Sequence, residues 1–345
     1  MSTRQSIADN AEPQTQTAVL RASMSSAIVD ATAGCWSPRD SFAAHKGDAA
    51  VQVPLLVPSP RAARRQLVRK AAAEMLGTYL LVLFGIGSVA CAVLTGALVG
   101  LWQSAAIWGC GATVAIYLTA SISGAQLNPA VTLAMALFNH HTKFAWSNVP
   151  AYVLGQFAGA ILAGATNLAM WSTFIQRYET LHGVSRSGQP NCATTSMILG
   201  ANFPNPATFA PADTASNPAW LVTPAHAMLS EALGTAILML TIFMVTDRAN
   251  SAIDPKAAPA VIGATLAALI GVFAPITQGS YNPARDFGPR LVAWLAGWGE
   301  CALPGPSGGF WVYLVGPIIG AVFAGLLYTF VFRVSDEELE SERTM

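Results

Sequence analysis

Three short patterns occur twice in this chain, in the same order and at nearly the same distance. Glu74-Met75-Leu76-Gly77-Thr78 returns as Glu231-Ala232-Leu233-Gly234-Thr235, and Asn128-Pro129-Ala130 returns as Asn282-Pro283-Ala284. Tyr152, Gly155, Gly159, Ala160, Ala163 and Gly164 match Tyr313, Gly316, Gly320, Ala321, Ala324 and Gly325. Three matches in one register make a tandem duplication. Apolar runs of about 20 residues, enough to cross roughly 30 Å of hydrocarbon, begin near Ala71, Ser104, Val149, Ala225, Ala257 and Phe310. Each copy holds three of them. An odd number makes the second copy enter the membrane from the opposite side, inverting the halves about a pseudo-two-fold axis in the membrane plane.

Two further apolar pieces, Val131 to Phe138 and Leu291 to Trp298, are too short to cross and read as re-entrant half-helices. The expected fold is therefore an all-α membrane protein, six transmembrane helices plus two half-helices in an inverted tandem repeat. Composition agrees. Only 10% of the 345 residues are charged and the formal net charge is +0, which suits a lipid bilayer and argues against nucleic acid as a partner. Residues 1–64 read as a disordered cytoplasmic tail, 65–174 as the first repeat, 175–222 as a non-cytoplasmic connection, 223–334 as the second repeat, and 335–345 as an acidic C-terminal tail.

Cations set the orientation. Arg61, Arg64, Arg65, Arg69 and Lys70 precede the first span, Lys143 follows the second, Arg248 and Lys256 lie between the fourth and fifth, and Arg333 ends the sixth. All fall on one side, which places both termini in the cytoplasm. Between spans three and four the opposite side has only Arg177 and Arg186 as cations. Five cysteines show no metal-ligand spacing. They read as unpaired thiols, Cys192 with Cys301 being the one disulfide that the topology leaves open.

Each Asn-Pro-Ala starts a helix, with Asn as the cap and Pro at the first helical position, where its missing N–H costs nothing. One such motif is an ordinary cap. Two of them on inverted half-helices bring two helix N-termini together, each carrying about half a positive elementary charge. Cations and hydronium meet a barrier there. The loops Ser121 to Leu127 and Pro275 to Tyr281 present carbonyls to a pore, and Asn128 and Asn282 offer side-chain N–H donors. An oxygen accepting from both amides aims its own hydrogens along the pore, which interrupts a proton wire.

These residues carry a resemblance. The chain from about residue 68 to 333 resembles the major intrinsic proteins, the aquaporin superfamily, and "NPARDFGPR" followed by "LVAWLAGWG" is similar to the aquaglyceroporin branch, as is "FPNP" at 203–206. The resemblance implies a passive channel for glycerol, water, urea and other small neutral solutes, a homotetramer with one pore per subunit, no enzymatic activity and no cofactor. It makes Arg285 the arginine of a selectivity filter, Trp108 its aromatic and Gly279 its loop position. Counting leaves Ile270 and Gly271 as alternatives in the fifth span. Gly279 departs from glycerol channels, where an aromatic is expected, and implies a wider filter. The plasma membrane is the expected location.

The remaining ionisable groups read as structural. Asp286 braces the helix start, where an acid suits the dipole, and Arg290 reaches the interface. Glu74 and Glu231 accept hydrogen bonds from the two re-entrant loops, whose amides would otherwise be orphaned in lipid. A proton relay is the competing use of such carboxylates. His226 reads as an interfacial residue without a partner, and His140 and His141 as solvated loop residues. Two other functional classes stay open: a secondary carrier, since carriers also use inverted repeats, and a membrane scaffold whose tails bind partners.

Overall fold

The computed structural model describes residues 59–138, 144–187, 191–208 and 221–334. Most of the expected N-terminal tail with Cys35, the acidic C-terminal tail, His140, His141 and Lys143 lie outside the described residues. Eight helices organise the rest: α1 Pro60–Thr95, α2 Leu101–Ser123, α3 Pro129–Phe138, α4 Val149–His182, α5 Pro224–Thr246, α6 Ala258–Thr277, α7 Pro283–Ala293 and α8 Val312–Leu327. Six segments are long and apolar enough to span a membrane: α1, α2, α4, α5, α6 and α8, with α4, α6 and α8 extended by adjoining helical turns. The chain is an integral, multi-pass, all-helical membrane protein; the described residues contain no strand.

Local chemistry sets the ends. Ser59 and Thr223 cap α1 and α5 with their hydroxyls, each followed by a proline. Glycines at φ 65° and 61° stop α1 and α4, a left-handed conformation that a side chain resists. α1 is 36 residues long, about 54 Å at 1.5 Å per residue, so it projects well beyond roughly 30 Å of hydrocarbon.

The duplication appears as equivalent contacts. α1 packs on α4 as α5 packs on α8, and α2 crosses α6, its own counterpart. Small residues make these crossings possible: a Cβ on Gly155 or Gly159 would strike the carbonyls of Ala71 and Met75, and one on Gly320 that of Ala232. Gly109 and Gly263 abut each other's carbonyls where α2 meets α6. Helices in lipid gain nothing from hydrophobic contact alone, so close backbone approach and van der Waals packing hold them.

Each half-helix crosses to the other copy, α3 packing on α8 and α7 on α4. The second half-helix departs from its expectation. Its body is the polar stretch Pro283–Ala293, and the apolar piece 291–298 supplies only its last turn plus a wide turn at Trp294–Trp298. Hydropathy misplaces it because this helix is wrapped in protein, with Arg285, Asp286 and Arg290 all buried. The molecule is inverted relative to a soluble one. Leu154, Phe323 and Phe330 face outward, whereas Glu74, Gln156, Glu231 and both motif asparagines are inside.

Candidate functional site

Both re-entrant loops are shorter than the sequence suggests, because α2 continues to Ser123 and α6 to Thr277. What remains is Gly124–Asn128 and Gln278–Asn282. Leu127 and Tyr281, equivalent in the repeat, both sit at positive φ, 53° and 54°. That kink turns their carbonyls toward the opposite motif. The Asn128 Nδ2 donates to the Tyr281 carbonyl at 2.8 Å, and the Asn282 Nδ2 donates to the Leu127 carbonyl at 2.8 Å. Each Asn Oδ1 meanwhile accepts from its own helix, Asn128 from the Ala130 N–H and Asn282 from the Ala284 and Arg285 N–H groups. The two helix starts are thus bolted tip to tip. One amide hydrogen of each asparagine is used in the bolt and one is left over.

Beneath each loop lies a fully buried carboxylate. Glu74 accepts from the Gln126 and Leu127 N–H groups at 3.0 and 2.7 Å, and also from the Ser123 hydroxyl and Gln156 amide. Glu231 accepts from the Ser280 and Tyr281 N–H groups at 3.0 and 2.7 Å. A carboxylate has about four acceptor sites, so Glu74 has a donor for each. Orphaned loop amides would cost about 1–3 kcal/mol apiece, and these acids remove that cost.

Arg285 lies with its Cζ 4.5 Å from the centroid of the Trp108 ring, cation–π range. Trp108 is buried against Gly85, where any side chain would overlap the indole. No described residue accepts a hydrogen bond from the Arg285 guanidinium, and the neighbouring carboxylate, Asp286, pairs with Arg290 instead. Of the two alternatives in α6, Ile270 packs in the cluster that contains Trp108 and Tyr281. Gly271 does not join it: it lies on the exposed face with Ala264 and Ala268, following the helical period, and a Cβ there would meet nothing. Gly279 has φ 62°, and a Cβ built on it would come 3.1 Å from the Tyr281 hydroxyl. The Tyr281 ring therefore fills space that a side chain at 279 would need.

Arg290 overturns its expectation. It is 1% exposed, bonded through Nε and a terminal nitrogen to Asp286 at 2.9 Å each, to the Ala302 carbonyl at 2.8 Å and to the Ala201 carbonyl. A guanidinium inside protein needs several acceptors at once, and the chain between α4 and α5 supplies one of them. The i,i+4 spacing of Asp286 and Arg290 is the signal that the sequence offered. Asp286 also accepts the Ala201 N–H at 2.7 Å. Cys192 and Cys301 are bonded, with Cα atoms 6.2 Å apart, correcting the reading of unpaired thiols. Sequence carries no distance between positions 109 residues apart. His226 does find a partner, since Thr223 caps its N–H and contacts its ring. Among the described residues no group of His, Cys, Asp and Glu could hold a metal ion.

The chain is similar to known proteins over most of its described length. The major intrinsic protein pattern matches residues 61–328. The glycerol uptake facilitator protein of Haemophilus influenzae is 39% identical over 259 residues, covering 74% of this chain and 90% of that protein. The propanediol uptake facilitator of Salmonella typhimurium is 37% identical, covering 76% and 94%. Among solved structures, the aquaglyceroporin from Plasmodium falciparum aligns with a TM-score of 0.64 at 25% identity, covering 77% of this chain and 96% of that one.

Proposed function

The chain belongs to the major intrinsic protein family, and on that premise we propose that it is a passive channel for glycerol and other small neutral solutes, water and urea among them. The observation that carries the reading is the tip-to-tip junction of α3 and α7, with the Arg285–Trp108 pair beside it. Two helix N-termini there oppose cations. The second hydrogen of the Asn128 and Asn282 amides is a donor to a passing oxygen, which turns that oxygen's own hydrogens away from its neighbours. Arg285 presents unpaired donors in a rigid fork to polyol hydroxyls, while the Trp108 ring packs against the carbon side of the same solute. Ile270 and Gly279 complete the constriction, and Gly279 leaves it wide on one side. Pro129, Ala130, Pro283 and Ala284 shape the helix starts, and Glu74, Glu231 and Asp286 brace the loops.

Relatives named for glycerol and propanediol uptake support this solute class. We read the protein as a homotetramer in the plasma membrane with both termini cytoplasmic, and as having no catalytic activity. Support for the orientation comes from the Cys192–Cys301 bond, since disulfides persist on the oxidising side of a membrane. That is the side with few cations. We read residues 1–64 and 335–345 as tails and 175–222 as the connection between the copies, with the first helix beginning at Pro60 and the fourth running on to His182.

Proteoliposomes in water, glycerol and urea gradients test the proposal. The expected result is solute flux linear in concentration, with low activation energy and no proton current. Saturation or dependence on a coupling ion would instead make the protein a carrier, and flux equal to that of empty liposomes would leave a scaffold. Light scattering of the detergent-solubilised protein checks the tetramer.

A further inference from the structure

The chain between α4 and α5 does more than connect the two copies. Segment 197–205 touches residues next to Gly279 and Arg285 and one turn from Ile270, three of the four filter positions. The Asn202 N–H donates to the Gln278 Oε1 at 2.6 Å, and the Gln278 Nε2 donates to the Met197 carbonyl at 3.1 Å; Gln278 is the residue just before Gly279. Ala201 holds Asp286 and Arg290 through its N–H and carbonyl, and Asp286 is the residue just after Arg285. Asn205 donates its side-chain amide to the Ala274 carbonyl, one turn beyond Ile270.

Gln278 adopts φ 62°, a region where a side chain is strained unless its surroundings hold it. Its two amide bonds to segment 197–202 hold it, together with the capping bond from its N–H to the Ala274 carbonyl. The same segment is anchored covalently. Cys192 is bonded to Cys301, next to Ala302, whose carbonyl accepts from Arg290. Cys192, Ala201, Arg290, Ala302 and Cys301 thus form a closed ring of covalent and hydrogen bonds. Beside it the fully buried Trp298 donates to Thr195 and lies under the Arg186 guanidinium at 4.1 Å.

We propose that Gln278 and the Cys192–Cys301 disulfide are positioning residues for the filter: they fix segment 197–202 as its outer wall, on the side where Gly279 supplies no side chain, and so set the largest polyol that passes. The proposal rests on the channel reading above.

The test uses the full chain in proteoliposomes, oxidised and then reduced with a water-soluble phosphine. The phosphine supplies two electrons and one water supplies two protons and an oxygen, so the disulfide becomes two thiols and the phosphine leaves as its oxide, with opening verified by alkylation and mass spectrometry. Permeabilities of water, glycerol and the four-carbon polyol erythritol are measured. Reduction is expected to raise the erythritol-to-glycerol ratio roughly tenfold, the effect of about 1.4 kcal/mol on a barrier, with reversal on reoxidation. Gln278→Met should shift the ratio the same way with the disulfide intact. An unchanged ratio in the reduced protein, even with a lower unfolding temperature, would make the disulfide a structural staple and overturn the proposal. Cys192→Ser should match the reduced protein, and if that variant fails to assemble, reduction after reconstitution reads the same ratio. The oxidised wild type separates the two failures. If it passes neither glycerol nor water, the channel reading falls, whereas conduction with a ratio insensitive to reduction sinks only the positioning role.

Discussion

The two half-helices descend from one unit, yet they divide the work unequally. In α7 the residues after the motif are Arg285, Asp286 and Arg290; at the equivalent places α3 has Val131, Thr132 and Ala136. The α3 loop is anchored by four donors converging on Glu74, with Gln156 bridging from Glu74 to Thr132. The α7 loop has two backbone donors on Glu231 and is held further by charge, through Asp286 and Arg290, and by the overlying segment 197–205. Duplication supplied a symmetric frame. The charge sits in the half that a long connection covers, where Arg290 finds backbone acceptors on Ala201 of that connection and on Ala302. The comparison teaches that α3 is frame and α7 is frame plus chemistry.

The sharpest way to break that contrast is at the carboxylates. Glu74→Leu orphans four donors and Glu231→Leu three, the Ser280 and Tyr281 N–H groups and the Thr277 hydroxyl, at about 1–3 kcal/mol each, so Glu74→Leu should lower the unfolding temperature in detergent more. Equal losses would mean that the two frames are not built differently. Next in size, Arg290→Met strands the buried Asp286 carboxylate and should cost about 3–5 kcal/mol, most of it recovered by adding Asp286→Leu. A single variant that unfolds like the wild type would show that the pair carries no strain-free anchoring role.

The remaining predictions concern transport. Arg285→Val gives α7 the residue of its counterpart and removes charged hydrogen bonds to the solute, worth about 1.5–3 kcal/mol. Glycerol flux relative to water should fall at least roughly tenfold, with cation leak appearing in a dye assay; wild-type selectivity in this variant would take Arg285 out of the filter. Trp108→Ala should admit larger polyols in swelling assays, and an unchanged solute profile would remove Trp108 from the constriction. Smallest of all, Gly271→Ala should leave the profile alone and stabilise α6 by roughly 0.5–1 kcal/mol. A changed profile would place Gly271, and not Ile270, at the constriction.

Much of the frame was legible because it is written in local patterns. Asn-Pro-Ala caps, paired glycines and apolar runs of spanning length each have a physical meaning that needs no partner, and their recurrence showed inversion. The charges were harder. Arg290 looked like an interfacial arginine, since a hydropathy scan sees the membrane but not the protein packed around α7. Its partners, Asp286 apart, are carbonyls of Ala201 and Ala302, and carbonyls are the same at every position of a sequence. Gln278 and Tyr281 gave no signal for a similar reason: their roles depend on positive φ, which a chain announces only when it uses glycine.

Sequence by itself determined the number of spans, the inversion and the two helix starts at the centre, because each follows from composition or spacing along the chain, and its motifs carried the resemblance to the family. Tertiary structure alone decided which atoms meet. The reciprocal bonds from Asn128 to the Tyr281 carbonyl and from Asn282 to the Leu127 carbonyl, the choice of Ile270 over Gly271, the Asp286–Arg290 pair and the Cys192–Cys301 bond all join positions distant in the chain or distinguish neighbours by facing. Distance and direction across the fold are products of packing, and no one-dimensional pattern encodes them.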